Sequence, residues 1–238
     1  RLYRIVDTAG IRRQGKVTQR EETLSVMQAR RNVESSDLSL MVMDLTEAPT
    51  QQDLHVAGIA IERHRPFIVI LNKWDLRTRE GKLHRGIAQP EDVVESVRSR
   101  LKFAPWAPIL ALSAMTGEGV SRVLPMVARV YDQAHRRITT GRLNQWLQKA
   151  VEGHRPGATR GHERRFYYAA QKGVNPPSFV FFTSPAGDPH FSYQRYLENS
   201  LRATFELDLT PVAIEYRQKP RRPRESRQSP KGPTRSPV

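Results

Sequence analysis

Three short polar clusters in this chain each follow an apolar run: Asp7-Thr8-Ala9-Gly10-Ile11, Asn72-Lys73-Trp74-Asp75 and Ser113-Ala114-Met115. The first runs on as "GIRRQGKV" (10–17), which fits the phosphate-cradling pattern G-x-x-x-x-G-K-[ST] at every letter but the last. A cradle of that kind wraps backbone N–H groups around phosphates and needs a hydroxyl for the metal. Val17 offers no oxygen, Arg12 and Arg13 stand where close backbone approach favours small residues, and the polar "TQREET" follows where an apolar helix should start. The match is therefore a poor cradle. The second cluster carries more chemistry. A carboxylate at Asp75 can accept two hydrogen bonds from the N1–H and N2–H₂ of a guanine edge, a pair that adenine does not offer. A buried site that loses such partners rejects the wrong base strongly. Lys73 would lay its stem over base and ribose, and Asn72 would tie neighbouring loops together. A capped turn before a helix would read the same from the letters alone. In the third cluster the Ala114 N–H could meet guanine O6, and "TGEGV" (116–120) then opens a helix.

The elements that must position these clusters are legible as short apolar runs. "LYRIV" (2–6), "LSLMVMDL" (38–45), "FIVILN" (67–72) and the weaker "PILALS" (108–113) are continuously apolar, as strands covered on both faces are. Helix-like segments lie around them, at 23–35, 51–64, 90–102 and 120–137. Pro90 is a good first-turn residue. Such alternation predicts an α/β fold with a parallel sheet and right-handed crossovers, and ligands in these sheets bind at the carboxyl ends of the strands. Asp7, Asn72 and Ser113 all fall there, Asn72 65 residues after Asp7 and Ser113 41 residues after Asn72. After Ile138 the order becomes helix (140–152), basic loop, two strands ("RFYYAAQK", "PSFVFFTS"), helix (192–206) and strand ("PVAIEYR"), a small α+β domain with helices on one side of a three-stranded sheet. The stripe Tyr193, Tyr196, Leu197, Leu201 and Phe205 reads as core, as do Trp106 and Trp146. Expected boundaries are 1–138, 139–216 and a tail at 217–238.

Composition narrows the classes. The 238 residues include no cysteine, so disulfides, zinc ribbons and thiol nucleophiles are excluded. No apolar run approaches the roughly 18 residues of a membrane span, and the first residues lack a signal-peptide layout, so a cytoplasmic protein with no membrane partner is expected. The net charge of +15 is uneven: residues 1–138 hold 22 basic and 16 acidic residues, 139–216 hold 9 and 7, and 217–238 hold 8 and 1. That last stretch has five prolines and no aromatic residue. It cannot bury a core, and it should find phosphate by counterion release. Arg155, Arg160, His162, Arg164 and Arg165 form a second basic patch in the loop before the first strand of the small domain. With Arg221, Arg222 and Arg224 of the tail, Arg155, Arg160, Arg164 and Arg165 are the candidate RNA contacts; a solvated loop is the plain alternative. The seven histidines show no metal-ligand spacing.

Taken with "RITTGRLNQWL" (137–147), "GVNPPSFVFF" (173–182) and "SYQRYLENSLR" (192–202), the three clusters resemble a translation-factor-class GTPase. The closer resemblance is to the second G domain and C-terminal domain of the double-G-domain bacterial GTPases of the Der (EngA) family. It implies GTP and GDP as ligands, slow hydrolysis, a role in assembly of the large ribosomal subunit with its rRNA as partner, and a KH-like C-terminal domain. It implies that Asp7 holds Mg²⁺ through a water and that the Gly10 N–H faces the γ-phosphate, with Thr8, Ala9 and Ile11 beside it; D-x-x-G alone could be any turn. Ile11 replaces the water-orienting glutamine of Ras-like proteins, so the resemblance implies that hydrolysis is managed otherwise, with a monovalent cation near the phosphates as the candidate. No catalytic group is assigned.

Two departures qualify the resemblance. No usable phosphate cradle occurs: the only glycine pairs five apart are Gly10/Gly15 and Gly81/Gly86, and the latter continues as Ile87. The chain thus reads as the C-terminal half of a longer protein whose first G domain would be an intramolecular partner. Second, a working KH domain clamps RNA with G-x-x-G, and no two glycines here are three apart. The small domain should therefore not grip single-stranded RNA in the usual KH way, and a packing surface against the G domains that reports nucleotide state is its expected role. A non-enzymatic rRNA- or ribosome-binding module is the competing reading.

Overall fold

Continuous apolar runs form strands only where both faces can be covered, and the middle run shows this most clearly. In the computed structural model, which describes residues 2–6, 27, 30–46, 51–78, 90–157, 163–185 and 187–219, strand β2 (Phe67–Asn72) is buried from Phe67 to Leu71. It lies between β1 (Ser39–Asp44) and β3 (Ile109–Ala111), parallel to both. Alternation along the strands divides the core. Met41, Met43, Phe67, Val69 and Leu71 face helices α1 (Gln51–Glu62) and α2 (Pro90–Arg100), meeting Ala57, Ile59, Ala60, Val93 and Val97. Ile68, Ile70, Leu110 and Leu112 face the other way, onto Val130 of helix α3 (Val123–Ala134). The result is a three-layer α/β arrangement. A short helical run at 30–35 precedes β1, and the rest of the helix expected at 23–35 lies mostly outside the described residues.

The expected strand at 2–6 does not form: its backbone is irregular, and Leu2, Ile5 and Val6 are exposed. A strand needs a neighbour to take its N–H and C=O groups, and among the described residues the sheet holds only β1, β2 and β3. The helix expected at 120–137 opens with a 3₁₀ turn (Val120–Arg122) and closes at Ala134.

The C-terminal part follows the expected α-β-β-α-β order: α4 (Thr140–Gly153), β4 (Arg165–Gly173), β5 (Ser178–Ser184), α5 (Phe191–Phe205) and β6 (Ala213–Gln218). Strand β4 pairs antiparallel with β5, and β5 pairs parallel with β6. Helices α4 and α5 cover one face, where Leu143, Trp146, Leu147, Tyr193, Leu197, Leu201 and Phe205 pack on Ala169, Phe179 and Phe181. The aromatic stripe is core. Trp146 donates Nε1–H to Ser200 Oγ at 3.1 Å, and Trp106 meets the Phe67 ring edge-on at 5.0 Å.

The two sheets are joined by a polar seam that sequence reading missed. Gln133, buried at the end of α3, donates to Asp208 Oδ1 at 2.8 Å and accepts from the Leu209 N–H at 2.7 Å. Leu209 itself packs on the first sheet's outer core. Asn175, in the β4–β5 turn, donates its N–H to Ala134 O at 2.8 Å, while its own carbonyl accepts from Arg65 at 3.2 Å. Gln133 is buried, and losing its amide leaves the half-buried Leu209 N–H without its partner. Gln133→Leu is therefore expected to cost about 1–3 kcal/mol in urea unfolding and to raise the amide hydrogen exchange of Leu209.

Candidate nucleotide-binding site

Parallel strands carry their carboxyl ends to one edge, and the loops leaving β1, β2 and β3 meet there. Asp44, the last residue of β1, pairs in register with Asn72, the last of β2. Beyond β2 the chain makes a 3₁₀ turn, Trp74–Thr78. It is pinned to the loop after β3 by the Trp74 N–H, which donates to Leu112 O at 3.0 Å. Asn72 Oδ1 accepts the Ala114 N–H at 2.9 Å across 42 residues of sequence. The NKWD and SAM clusters therefore form one surface.

The loop after β3 is built for tight turning. Ser113 is fully buried; its N–H donates to Glu118 O and its carbonyl accepts from the Gly117 N–H, both at 2.9 Å. Its hydroxyl accepts from the Thr116 N–H at 3.1 Å. Ser113 thus shapes the loop from within, and Met115 stands exposed at its tip. Gly119 adopts φ 77, and a Cβ there would lie 2.8 Å from Ala111 O, so only glycine fits the left-handed turn into α3.

Sequence reading missed Asp44 altogether, yet it organises the edge. Its buried carboxylate meets Lys73 Nζ at 2.5 Å and accepts from the Thr46 N–H at 2.9 Å and the Thr46 hydroxyl at 2.7 Å. Burial opposes ionisation of Asp44, but the hydrogen bonds from Lys73 and Thr46 and the Lys73 charge outweigh it and hold the carboxyl below its ordinary value. Lys73 adopts φ 68, left-handed backbone for a residue with a long side chain, at a cost of order 1 kcal/mol. The signal available in the letters was an acid closing the apolar run "SLMVMD", at the strand end where such sheets bind ligands.

The other expected residues divide as follows. Asp75 is half-buried in the first turn after the NKWD corner. Trp74, the variable letter of the NKWD cluster, packs against the first core. The Ala114 N–H, expected to face a base, is donated to Asn72 in this structure. Asp7, Thr8, Ala9, Gly10 and Ile11 lie outside the described residues, as do Arg160, Arg221, Arg222 and Arg224. Arg155 and Arg165 are exposed. Arg164 is a correction: it is buried, and its guanidinium donates to Thr183 Oγ1, Pro185 O, Gly187 O and Asp188 O at 2.7–3.3 Å. A cation whose donors close the β5–α5 turn is not presented to RNA. Among the described residues no cluster of three or more acidic or histidine side chains could hold a metal ion.

Residues 2–133 match the elongation factor Tu GTP-binding domain. The chain belongs to that family. Residues 137–217 match the KH-domain-like C-terminal module of EngA bacterial GTPases. The chain is 42% identical over 215 residues to the GTPase Der of Syntrophotalea carbinolica, 40% over 221 to that of Syntrophobacter fumaroxidans and 41% over 217 to that of Moorella thermoacetica. These alignments take in 90–92% of this chain and 48% of each relative, so the chain spans about half the length of the curated relatives it matches. Among solved structures, an Aquifex aeolicus Era bound to GDP and aluminium fluoride aligns over 86% of this chain and 73% of its own, with 17% identity and a TM-score of 0.37.

The Asp44 arrangement has a pH signature. Its folded pKa lies below the ordinary value of 3.8, so its stabilisation is present above that value and is lost as pH falls through the folded pKa. Asp44→Asn should remove about 1–3 kcal/mol at neutral pH and flatten the acid limb of a stability profile measured by urea unfolding from about pH 5 down to about pH 2.

Proposed function

We propose that this chain is the base-recognising half of a GTP-hydrolysing factor that acts in assembly of the large ribosomal subunit. The observation that carries the reading is the Ala114–Asn72 hydrogen bond, which sets the SAM loop beside the NKWD corner at the carboxyl edge of a parallel sheet. Guanine fits the groups present: Asp75 accepts from N1–H and N2–H₂, Lys73 covers the base, and the Ala114 N–H turns to O6 when Asn72 releases it. Residues 1–138 are the partial G domain, 139–216 the KH-like domain and 217–238 a basic tail. Mg²⁺ would be held through Asp7, and a bound Mg²⁺ would neutralise charge on the phosphates. Ile11 has no side-chain group that could orient water, and a monovalent cation near the phosphates would supply the charge stabilisation in its place. A first G domain is the intramolecular partner, and the factor works in the cytoplasm.

The KH-like domain reports nucleotide state through the seam at Gln133 and Asn175, which ties it to α3 and to the Ala134 carbonyl. The tail and the exposed loop cations Arg155 and Arg165, with Arg160, meet rRNA; Arg164 is not among them. A second reading, a non-enzymatic ribosome-binding module, is favoured by the way Lys73 and the Ala114 N–H are already engaged within the protein.

Calorimetric titration separates the two. The 238-residue chain should bind GDP weakly or not at all, and the same chain completed with a phosphate cradle should bind GDP and discriminate against ADP. Micromolar GDP binding by the bare chain would overturn the account of the missing cradle; a completed chain that cannot tell GDP from ADP would leave the binding module. In the completed chain, Asp75→Asn should shift preference from guanine to xanthine nucleotide, and an unaltered preference would remove Asp75 from base reading. Deleting 220–238 should weaken co-sedimentation with large subunits and flatten its salt dependence, by about 0.7 in log–log slope for each phosphate that the tail no longer neutralises.

A further inference from the structure

We propose that the open face of the second sheet is a stacking platform for single-stranded RNA. The inference rests on the RNA partner proposed above and gives it a specific surface, one without the glycine clamp of working KH domains.

Helices α4 and α5 cover one face of this sheet, and alternation sends the intervening side chains to the other. In the ladder Tyr168 stands opposite Phe182, and Phe182 opposite Arg217, so one row crosses all three strands. The Tyr168 and Phe182 rings stack with centroids 4.3 Å apart and planes at 18°, and Tyr168 remains 37% exposed. The register shift between Phe166 and Tyr168 turns Tyr167 outward as well, to 44% exposure. Lys219, whose N–H extends the ladder to Thr183 O, places Nζ 4.4 Å from the Tyr167 ring centre.

Cations surround the rings. Arg165 pairs with Ser184 in the adjoining row and is exposed. Lys172 and Arg217 share a single carboxylate, Glu215, at 2.6 and 2.5 Å. Arg165, Lys172, Arg217 and Lys219 thus gather four cations on this surface, two of which share Glu215, although residues 139–216 as a whole carry only 9 basic and 7 acidic residues.

The chemistry selects the occupant. Exposed aromatic rings on a sheet face offer a π-face to any unpaired base, worth about 1–3 kcal/mol per base stacked. Flanking cations follow the phosphates, and a duplex, whose bases are already stacked, cannot use the rings. The chain leaves β6 directly into "KPRRPR" (219–224), so a phosphate-seeking segment begins at the edge of the row. A protein partner would gain from the rings but would have to offset the surplus positive charge.

Fluorescence anisotropy of a labelled single-stranded RNA of about 12 nucleotides, and of the same sequence as a duplex, tests this on the 238-residue chain and on 1–219. Tyr168→Ala should weaken single-strand binding about tenfold in both chain lengths, leave duplex binding and the salt slope unchanged, and be rescued by Tyr168→Phe. Arg217→Ala should lower the salt slope by about 0.7. Unchanged thermal unfolding of the variants excludes a folding defect, and a Tyr168→Leu variant keeps apolar burial while removing the ring. Single-strand affinity that ignores Tyr168 in both chain lengths would overturn the proposal. So would equal losses for single strand and duplex, or ring variants that change only self-association or binding to a large-subunit protein. Nucleotide discrimination and subunit co-sedimentation do not involve Tyr168: a failed guanine test with intact ring-dependent RNA binding sinks the function and leaves this surface, and the converse result does the reverse.

Discussion

The hydrogen bond from the Ala114 N–H to Asn72 Oδ1 makes two distant stretches of chain into one surface. It works because the parallel register has already aligned the strand ends. Leu71 and Ala111 are ladder partners, and Asn72 stands opposite Asp44. A short amide side chain at Asn72 then spans the remaining gap. The same edge collects a carboxylate from β1, a lysine and a carboxylate from the corner after β2, and backbone donors from the loop after β3. A one-residue slip would turn Asn72 away, and it would also invert the burial of Phe67, Val69 and Leu71 against Ile68 and Ile70. The packing of β2 on both faces thus fixes the geometry of the site.

Two strengths of interaction coexist at that edge. The Asp44–Lys73–Thr46 group is internally satisfied: the carboxylate is buried and fully engaged, and its partner lysine is half-exposed. The SAM loop is held by its own turn, through Ser113 and the left-handed Gly117 and Gly119. Between these two corners the Asn72–Ala114 contact is a light link, since a neutral hydrogen bond of this sort contributes about 1 kcal/mol. With the Trp74 N–H bond to Leu112 O beside it, this contact joins two corners that are each held by their own hydrogen bonds.

Much of the fold was legible in the letters, and the exceptions have physical reasons. "FIVILN" and "PSFVFFTS" were readable because strands buried in a sheet centre demand unbroken apolar runs. "LYRIV" is also a short, largely apolar run and yet forms no strand, because pairing depends on a neighbour that composition does not reveal. NKWD and SAM were readable as motifs, whereas Asp44 was not: one acid at the end of an apolar run looks like the beginning of a loop. Arg164 was misjudged because it sits in a run of basic letters, "ERR" (163–165), and nothing there shows that one arginine turns inward to Thr183 and the carbonyls of 185, 187 and 188. Nothing in the letters around Gln133 and Asn175 shows their long-range partners in the seam.

The first strand has a bearing on how the protein behaves in solution. Met41 and Met43 of β1 are buried, but Leu40 and Val42 on the opposite side are 43% and 54% exposed. In the described sheet β1 has no neighbour beyond its outer edge. Such a border invites chain-to-chain sticking, and long-range repulsion from a formal charge of +15 opposes it. That repulsion reaches about 10 Å at 0.1 M salt and shrinks to about 3 Å at 1 M. Ionic strength therefore sets how far that repulsion shields the exposed row of β1.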